Sequence, residues 1–561
     1  MILSHRRNGP GAIAIVALVG FGLQFAVASH SEAATFWPPD SLGAYAWPMS
    51  VQQGDTVGIY VSVRGTSYSL SVRREGATRV EYAHFNGLPA VVQPLPADSV
   101  YSRGCNWNPA VRIAIPDTWP SGVYTALVIG QDTTFSALFV LRERHPGTTS
   151  RMLLALTVAT YHAYNRWGGK SLYTFNSTND QNAYVVSLKR PYYASGGVSN
   201  FVLWEAKLIK FLESRGYKIE YCTNIDLMDR PALEQNYDLV MTCGHDEYWS
   251  REMRNTIEAR IARGGNVAFF GGNTCWWQVR LQSDARMVCY KDKTLDPLYG
   301  IDNDRVTEQW WRDPVYRPEN PMTGVSFRNG GYVNFDGWYL ASQGYGGYTA
   351  FHTDHWIYAG TGLRDSSYFG ASPPIVGYET DGALFNMVGG QPVVTGTDGT
   401  PLSFVVLGTS PGNRGNATMG IFSGPGLVFN AATIDWAVGL DTTTVVQRIT
   451  LNVVNGLLER VASDPDVLPA GGDFALSVTP NPSRSGVSIR WNAGVGARAR
   501  ALICDVQGRV VAWPRVEPAP DGAWVRWDGS GRDHRRALPG VYFVRIESGP
   551  RSSTRRFLLL E

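Results

Sequence analysis

His245 and Glu247 stand two residues apart in GHDEYW, between the apolar run LVMTC and a helix start at Ser250. That context puts an imidazole and a carboxylate at the C-terminal tip of a buried strand, the edge where ligands bind in open α/β sheets. The pair could coordinate a cation and move a proton, or Glu247 could simply cap the helix that follows. Tyr161 and Tyr164 come directly after another apolar run, LLALTVA, and Tyr173 follows WGGKSL, whose glycines could fold the chain back to the same edge. Two tyrosinates and a carboxylate favour a hard, highly charged cation such as ferric iron over zinc, whose ligands are usually His and Cys. Among 27 tyrosines a neighbouring pair also occurs as plain aromatic packing. Asn273 follows NVAFFGG, so main-chain amides and a side-chain amide reach the same edge, as a site for a tetrahedral intermediate requires; alternatively Gly271 and Gly272 only permit a turn.

The elements that must carry these groups are legible as period and punctuation. LLALTVA, YKIEYCT, LVMTC and NVAFF are short apolar runs, the mark of strands buried on both faces. Between them, WEAKLIKFLESRG places Trp204, Leu208 and Phe211 on one helical face, and SREMRNTIEARIARGG repeats Met253, Ile257 and Ile261 every fourth residue behind a Ser250 cap. Strand, helix and strand in this order predict parallel strands with right-handed crossovers. The expected fold is therefore α/β, with a central, mostly parallel sheet over residues 148–463. The segment from Tyr299 to Gly426, rich in Gly, Tyr, Trp and Asp, has no clear place in that pattern.

The flanks read differently. Residues 36–147 alternate with period two and are cut by turns, predicting an immunoglobulin-like β-sandwich; residues 468–561 predict a second one. The first 28 residues read as a secretory signal peptide, with Arg6 and Arg7, an apolar run from Ala12 to Ala26, and Ala26-Val27-Ala28 as a cleavage site. Its removal takes the formal charge from +2 to zero, which offers no electrostatic handle for nucleic acid. No later stretch reaches the roughly 20 apolar residues of a membrane span. Six cysteines give no zinc spacing; Cys275 and Cys289 could pair, or all could be buried thiols.

TYHAYNRWGGKSLY, VSLKRPYY, WEAKLIKFLESRGYKIEYCTNIDL, YDLVMTCGHDEYWSREMR, GGNVAFFGGNTCWWQVR and FNAATIDWAVGL, in this order, resemble blocks of the N,N-dimethylformamidase large (beta) subunit family. The resemblance implies a sheet like that of class I glutamine amidotransferases behind a β-sandwich. It implies a mononuclear Fe3+ held by Tyr161, Tyr173 and Glu247, with His245 and Asn273 as catalytic neighbours, and hydrolysis of a C–N amide bond in a small substrate. Two departures stand out: Asp246 lies where the family motif has Pro, and the segment joining the tyrosine motifs is shorter. The last ninety or so residues, with VTPNP and PGVYFVRI, resemble the immunoglobulin-like C-terminal domains of the flagellar hook-capping and type IX secretion sorting families. That resemblance implies a secreted or surface-attached protein and contact with secretion machinery; a homo-oligomer is compatible with it.

Two other functions compete. A cysteine amidohydrolase would use Cys243, but T-C-G-H lacks a nucleophile elbow and places His245 poorly to activate the thiol. A non-catalytic adhesion or carbohydrate-binding protein would use the aromatic segment from Asn303 to Tyr368 as a stacking surface.

Overall fold

The computed structural model describes residues 41–560 except 97, 194–198, 334–345, 460–475, 482, 493–498, 506–508, 520–521, 533–534 and 549–550. The expected signal peptide, residues 1–28, and the connection DPDVLPAGG lie outside the described residues.

Alternating apolar residues between Gly43 and Arg142 form a three-stranded and a five-stranded sheet that face each other across one apolar cluster, which includes Val57, Ile59, Leu70, Val72, Val128 and Phe139. Residues 476–559 form two four-stranded sheets around Ile489, Trp527, Val544 and Phe557. Between them lies a large sheet that runs through the strands Glu220–Thr223, Met152–Leu156, Leu239–His245, Asn266–Gly272 and Leu427–Asn430 and then through Gly415–Ser423, Val405–Gly412, Tyr348–Ala350 and Tyr368–Phe369.

This sheet overturns the expectation of an α/β fold on a central, mostly parallel sheet of the glutamine amidotransferase kind. Of the described residues, 40% are in strands and 19% in helices. The sheet is mixed, with four parallel pairings on one side and six antiparallel ones on the other. Leu427–Asn430 is the seam, parallel to Asn266–Gly272 and antiparallel to Gly415–Ser423. The reason lies in the Tyr299–Gly426 region. Among its described residues the short, Gly-punctuated segments carry no helix long enough to cross over, so they return as hairpins and extend the sheet antiparallel.

Side-chain alternation along the parallel strands explains the two covered faces. Leu154, Met241, Cys243, Ala268 and Phe270 pack with Leu208 and Phe211 of the helix Glu205–Glu213 and with Val446, Ile449 and Val453 of the helix Thr444–Glu459. Leu153, Ala155, Val240, Val267 and Phe269 pack instead with Met253, Ile257 and Ile261 of the helix Arg251–Ala262. Ser250 caps that helix, its Oγ accepting from Met253 N at 3.1 Å, as the sequence predicts. All six cysteines are free, so Cys275 and Cys289 do not pair.

The N-terminal sheets are tied to the large sheet by charge. Arg74 donates from Nη1 and Nη2 to Glu213 at 3.0 and 2.6 Å, and Tyr221 OH adds a bond to the same carboxylate. Burial alone would raise the Glu213 pKa, but Arg74 and Tyr221 hold it below the usual value. A lowered native pKa stabilises the fold above the unfolded value of about 4.3 and loses that contribution as pH falls through the native one. Glu213→Gln should therefore cost about 3 kcal/mol at pH 7, because it leaves a mostly buried guanidinium without its counter-charge. Urea unfolding at a series of pH values should show the gap to wild type narrowing below about pH 4; a gap independent of pH would mean that the ion pair contributes nothing.

Candidate functional site

The strands Met152–Leu156, Leu239–His245 and Asn266–Gly272 are parallel neighbours, so their C-terminal ends meet at one edge. The chain crosses from GHDEYW to GGNTCWW through main-chain bonds, with Cys275 N on Asp246 O at 2.8 Å and Trp276 N and Trp277 N on Glu247 O at 2.9 Å. On the other side Thr160 Oγ1 accepts from Glu247 N at 3.0 Å and Tyr248 N at 3.3 Å. Glycine is required at the tip of the third strand. A Cβ on Gly272 would stand 2.7 Å from backbone atoms of Thr433 and Ile434.

Glu247 is buried and centred in a ring of hydroxyls. Tyr164 OH lies 2.7 Å from its Oε2, Tyr173 OH 2.7 Å from its Oε1, and the two phenol oxygens are 2.9 Å apart. Tyr248 OH donates to Tyr173 OH at 2.6 Å. Tyr173 is folded back as the glycine pair suggests, Gly168 and Gly169 both adopting positive φ. Asn176 Nδ2 on Tyr164 O at 3.1 Å and Leu172 N on Ala163 O at 3.0 Å hold the fold-back in place. Burial, then the charge of Glu247, raises both the Tyr164 and Tyr173 pKa values well above the ordinary value, so without a cation these are neutral phenols.

His245 bridges two carboxylates. Its Nε2 is 3.3 Å from Glu247 Oε2 and 2.6 Å from Glu379 Oε2. Burial alone would favour the neutral ring, but the Glu379 and Glu247 charges raise the pKa to about 10. Asn273 donates from Nδ2 to Glu379 Oε2 at 3.2 Å, and its buried Oδ1 has no hydrogen-bond partner. Lys291 Nζ, also buried without a hydrogen-bond partner, lies 3.1 Å from the centre of the Tyr173 ring; burial lowers its pKa to about 8 despite the charge of Glu247.

Of the five site residues predicted from sequence, Tyr173, Glu247, His245 and Asn273 come together and Tyr161 does not. The strand read through LLALTVA ends at Leu156, and the helix Val158–Tyr164 begins within that run. On a helix, positions four apart share a face, so Thr160 and Tyr164 point at Glu247 while Tyr161 turns away and bonds Glu205. Tyr164 holds the position that the resemblance assigned to Tyr161. Glu379 and Lys291 were missed. Glu379 opens a four-residue strand, Glu379–Gly382, at the end of PIVGYETD, which reads as a short strand in the sequence but in a region whose place in the fold the pattern did not give.

Asp246, the departure from the family motif, does not enter the site. Strand alternation turns it to the opposite side, where Trp249 Nε1 donates to its Oδ1 at 2.9 Å. Cys243 lies in the core, and burial pushes its thiol pKa well up, which removes it as a nucleophile. In the aromatic segment considered for glycan stacking, Trp310 is fully buried beneath Arg254, and residues 334–345 lie outside the described residues.

The pinning of Glu247 is testable apart from any chemistry. Thr160→Val keeps the shape but leaves two buried N–H groups unpaired, so it should destabilise the protein by about 2–4 kcal/mol. Thermal unfolding of the variant checks this, and an unchanged Tm would show that the contacts are dispensable.

Among curated proteins, none matches this chain. Among solved structures, PorZ, described as an essential bacterial surface component of the type IX secretion system of Porphyromonas gingivalis, is 29% identical, with a TM-score of 0.13. The match covers 15% of this chain and spans only 11% of that one. Residues 67–450, which hold every group of the site described above, match the family described as N,N-dimethylformamidase beta subunit-like, C-terminal, and the chain belongs to that family.

Proposed function

We propose that the protein is an iron-dependent hydrolase of an amide C–N bond, with Tyr164, Tyr173 and Glu247 as the metal ligands. The convergence of two phenols on one buried carboxylate carries this reading. Neighbouring oxygens around an octahedral hard cation with bonds of about 2.0–2.1 Å are about 2.9 Å apart, and the two phenol oxygens stand 2.9 Å apart, each 2.7 Å from the carboxylate. Among the described residues no group of three His, Cys, Asp or Glu gathers to hold a metal, so the donor set depends on the phenols, which suit ferric iron.

When bound, the ion would supply Lewis acidity to the amide carbonyl or to a water. The protein does the rest. Glu379 is placed to accept a proton from the attacking water, because one of its oxygens already holds His245 Nε2 at 2.6 Å. His245, already protonated between the carboxylates, would give its own proton to the leaving nitrogen and then take back the one that Glu379 accepted. Asn273 faces both and orients the tetrahedral intermediate through its amide. Near-complete burial of all four side chains limits competing water.

The expected export of the chain belongs to the same proposal. Its support is the signal-like N-terminus and the resemblance of residues 468–561 to sorting domains. N-terminal sequencing of the exported chain should begin at Ser29; a retained Met1 would argue against export by this route.

The first test is metal analysis with a visible spectrum. Near-stoichiometric iron and a charge-transfer band are expected in the wild type. Both Tyr164→Phe and Tyr173→Phe should lose the band, whereas Tyr161→Phe should keep it. A colourless, iron-free protein after iron-replete expression would sink the reading. Glu379→Gln should keep iron and lower kcat roughly 10²- to 10⁴-fold; equal turnover would remove Glu379 from the proton path.

A further inference from the structure

The site is flanked by a wall of rings that the chemistry above does not use. Tyr332 is the register partner of Glu379 in an antiparallel ladder, so the two side chains rise from the same face. Tyr378 precedes Glu379, and its ring lies parallel to that of Tyr332, at an interplanar angle of 5° and a centroid distance of 6.4 Å. Phe327 meets Tyr332 edge-on at 5.2 Å, and Trp276, whose N–H holds the Glu247 carbonyl, meets Phe327 at 5.1 Å. Phe327 and Trp276 are buried, whereas Tyr332 and Tyr378 are half-buried. The run therefore has an anchored end in the core and an open end beside the reacting groups.

The wall is held rigidly. Asn413, at the tip of the hairpin between Val405–Gly412 and Gly415–Ser423, accepts from Tyr332 N at 2.9 Å and donates its own N–H to Tyr332 O at 2.8 Å. The next residue, Arg414, sets its guanidinium 5.0 Å from the Phe327 ring and 5.9 Å from Trp276.

Resting on the hydrolase reading, we propose that this wall binds a planar aromatic group, so that the substrate is an aryl amide, either N-aryl or aroyl, rather than a small aliphatic amide. A formamide-sized molecule held at His245, Asn273 and Glu247 would have no ring to lay against the wall. An aryl group bonded to the scissile amide would lie toward Tyr332 and Tyr378, because Tyr332 pairs with Glu379 across the ladder and Tyr378 adjoins it in the chain. A sugar would need polar groups ringing the aromatic face to pair its hydroxyls. Here Tyr332 and Tyr378 lie parallel to each other, and Tyr332 meets Phe327 edge-on, an arrangement suited to a further flat ring.

The experiment compares kcat/KM of the iron-loaded full chain on acetanilide, benzamide and acetamide. An aryl amide should be preferred at least tenfold, since each ring contact adds roughly two- to tenfold in affinity. The preference should fall about tenfold in Tyr378→Leu, with iron content and circular dichroism checked on the same sample. Tyr332→Leu serves in its place if that variant loses the native spectrum. Equal or better turnover of acetamide overturns the aryl-amide inference and leaves amide hydrolysis standing. If none of the three is cleaved although iron is bound, the hydrolase reading fails, and calorimetric titration with benzamide decides the wall separately. Binding that weakens in the variant supports it; no binding, or binding of cellobiose instead, overturns it.

Discussion

Two carboxylates held out of water are the constraint on which the site and much of the surrounding sheet depend. Glu247 and Glu379 are both buried within reach of one imidazole, and an unpaired buried carboxylate is among the most costly features a fold can carry. The compensation is distributed. His245 lies between them, Lys291 sits close by on the Tyr173 ring, two phenols bond Glu247, and Asn273 donates to Glu379. These groups come from five separate parts of the chain, so the charge balance holds only while the strands that carry them keep their registers.

Main-chain contacts keep those registers. Thr433 N bonds Gly271 O at 3.0 Å, Thr433 bridges to Thr380, and Glu379 O accepts from Ile434 N. The central strand is thereby linked to the strand bearing Glu379 without any side chain between them. Glycine at 272 lets the Thr433 and Ile434 backbone approach this closely, while glycine at 271 gives room to Gly244 of the neighbouring strand. The two glycines considered from sequence as a turn or as part of a site are neither by themselves; they are the contact surface across which the second carboxylate is delivered.

The half of the site that was legible in the sequence is the half carried by local signals. GHDEYW and GGNTCWW follow apolar runs of five or more residues and end at glycines or a capped helix, so their position at a strand tip can be read from pattern alone. Tyr161 against Tyr164 depended on where the strand of LLALTVA gives way to helix, and seven residues with His162 and four aromatic or β-branched neighbours do not announce one. Glu379 was out of reach for a different reason. It lies in a four-residue strand among Gly-rich segments, where neither period has room to repeat, and its partner Tyr332 is 47 positions away in the chain. The same short segments concealed the mixed character of the large sheet, because parallel strands were recognisable one by one while the antiparallel hairpins were not.

That mixed character has a chemical consequence. In a purely parallel sheet, site residues arrive from the loops that follow each strand, all entering from one side. Beyond the seam at Leu427–Asn430 the chain runs back and forth, so a strand can bring a carboxylate to the edge of the site from the flank. Glu379 arrives from such a flank, on the separate two-stranded sheet of Ser326–Tyr332 and Glu379–Gly382, and meets the same His245 nitrogen as Glu247. Both carboxylates reach the same Nε2, so the imidazole offsets the repulsion that two unpaired carboxylates this close would feel. Pairing outside the parallel strands thus adds to the shared core, with Leu407, Met419 and Ile421 packed in one cluster with Leu154 and Met241, and it brings Glu379 to the imidazole that the parallel strands present.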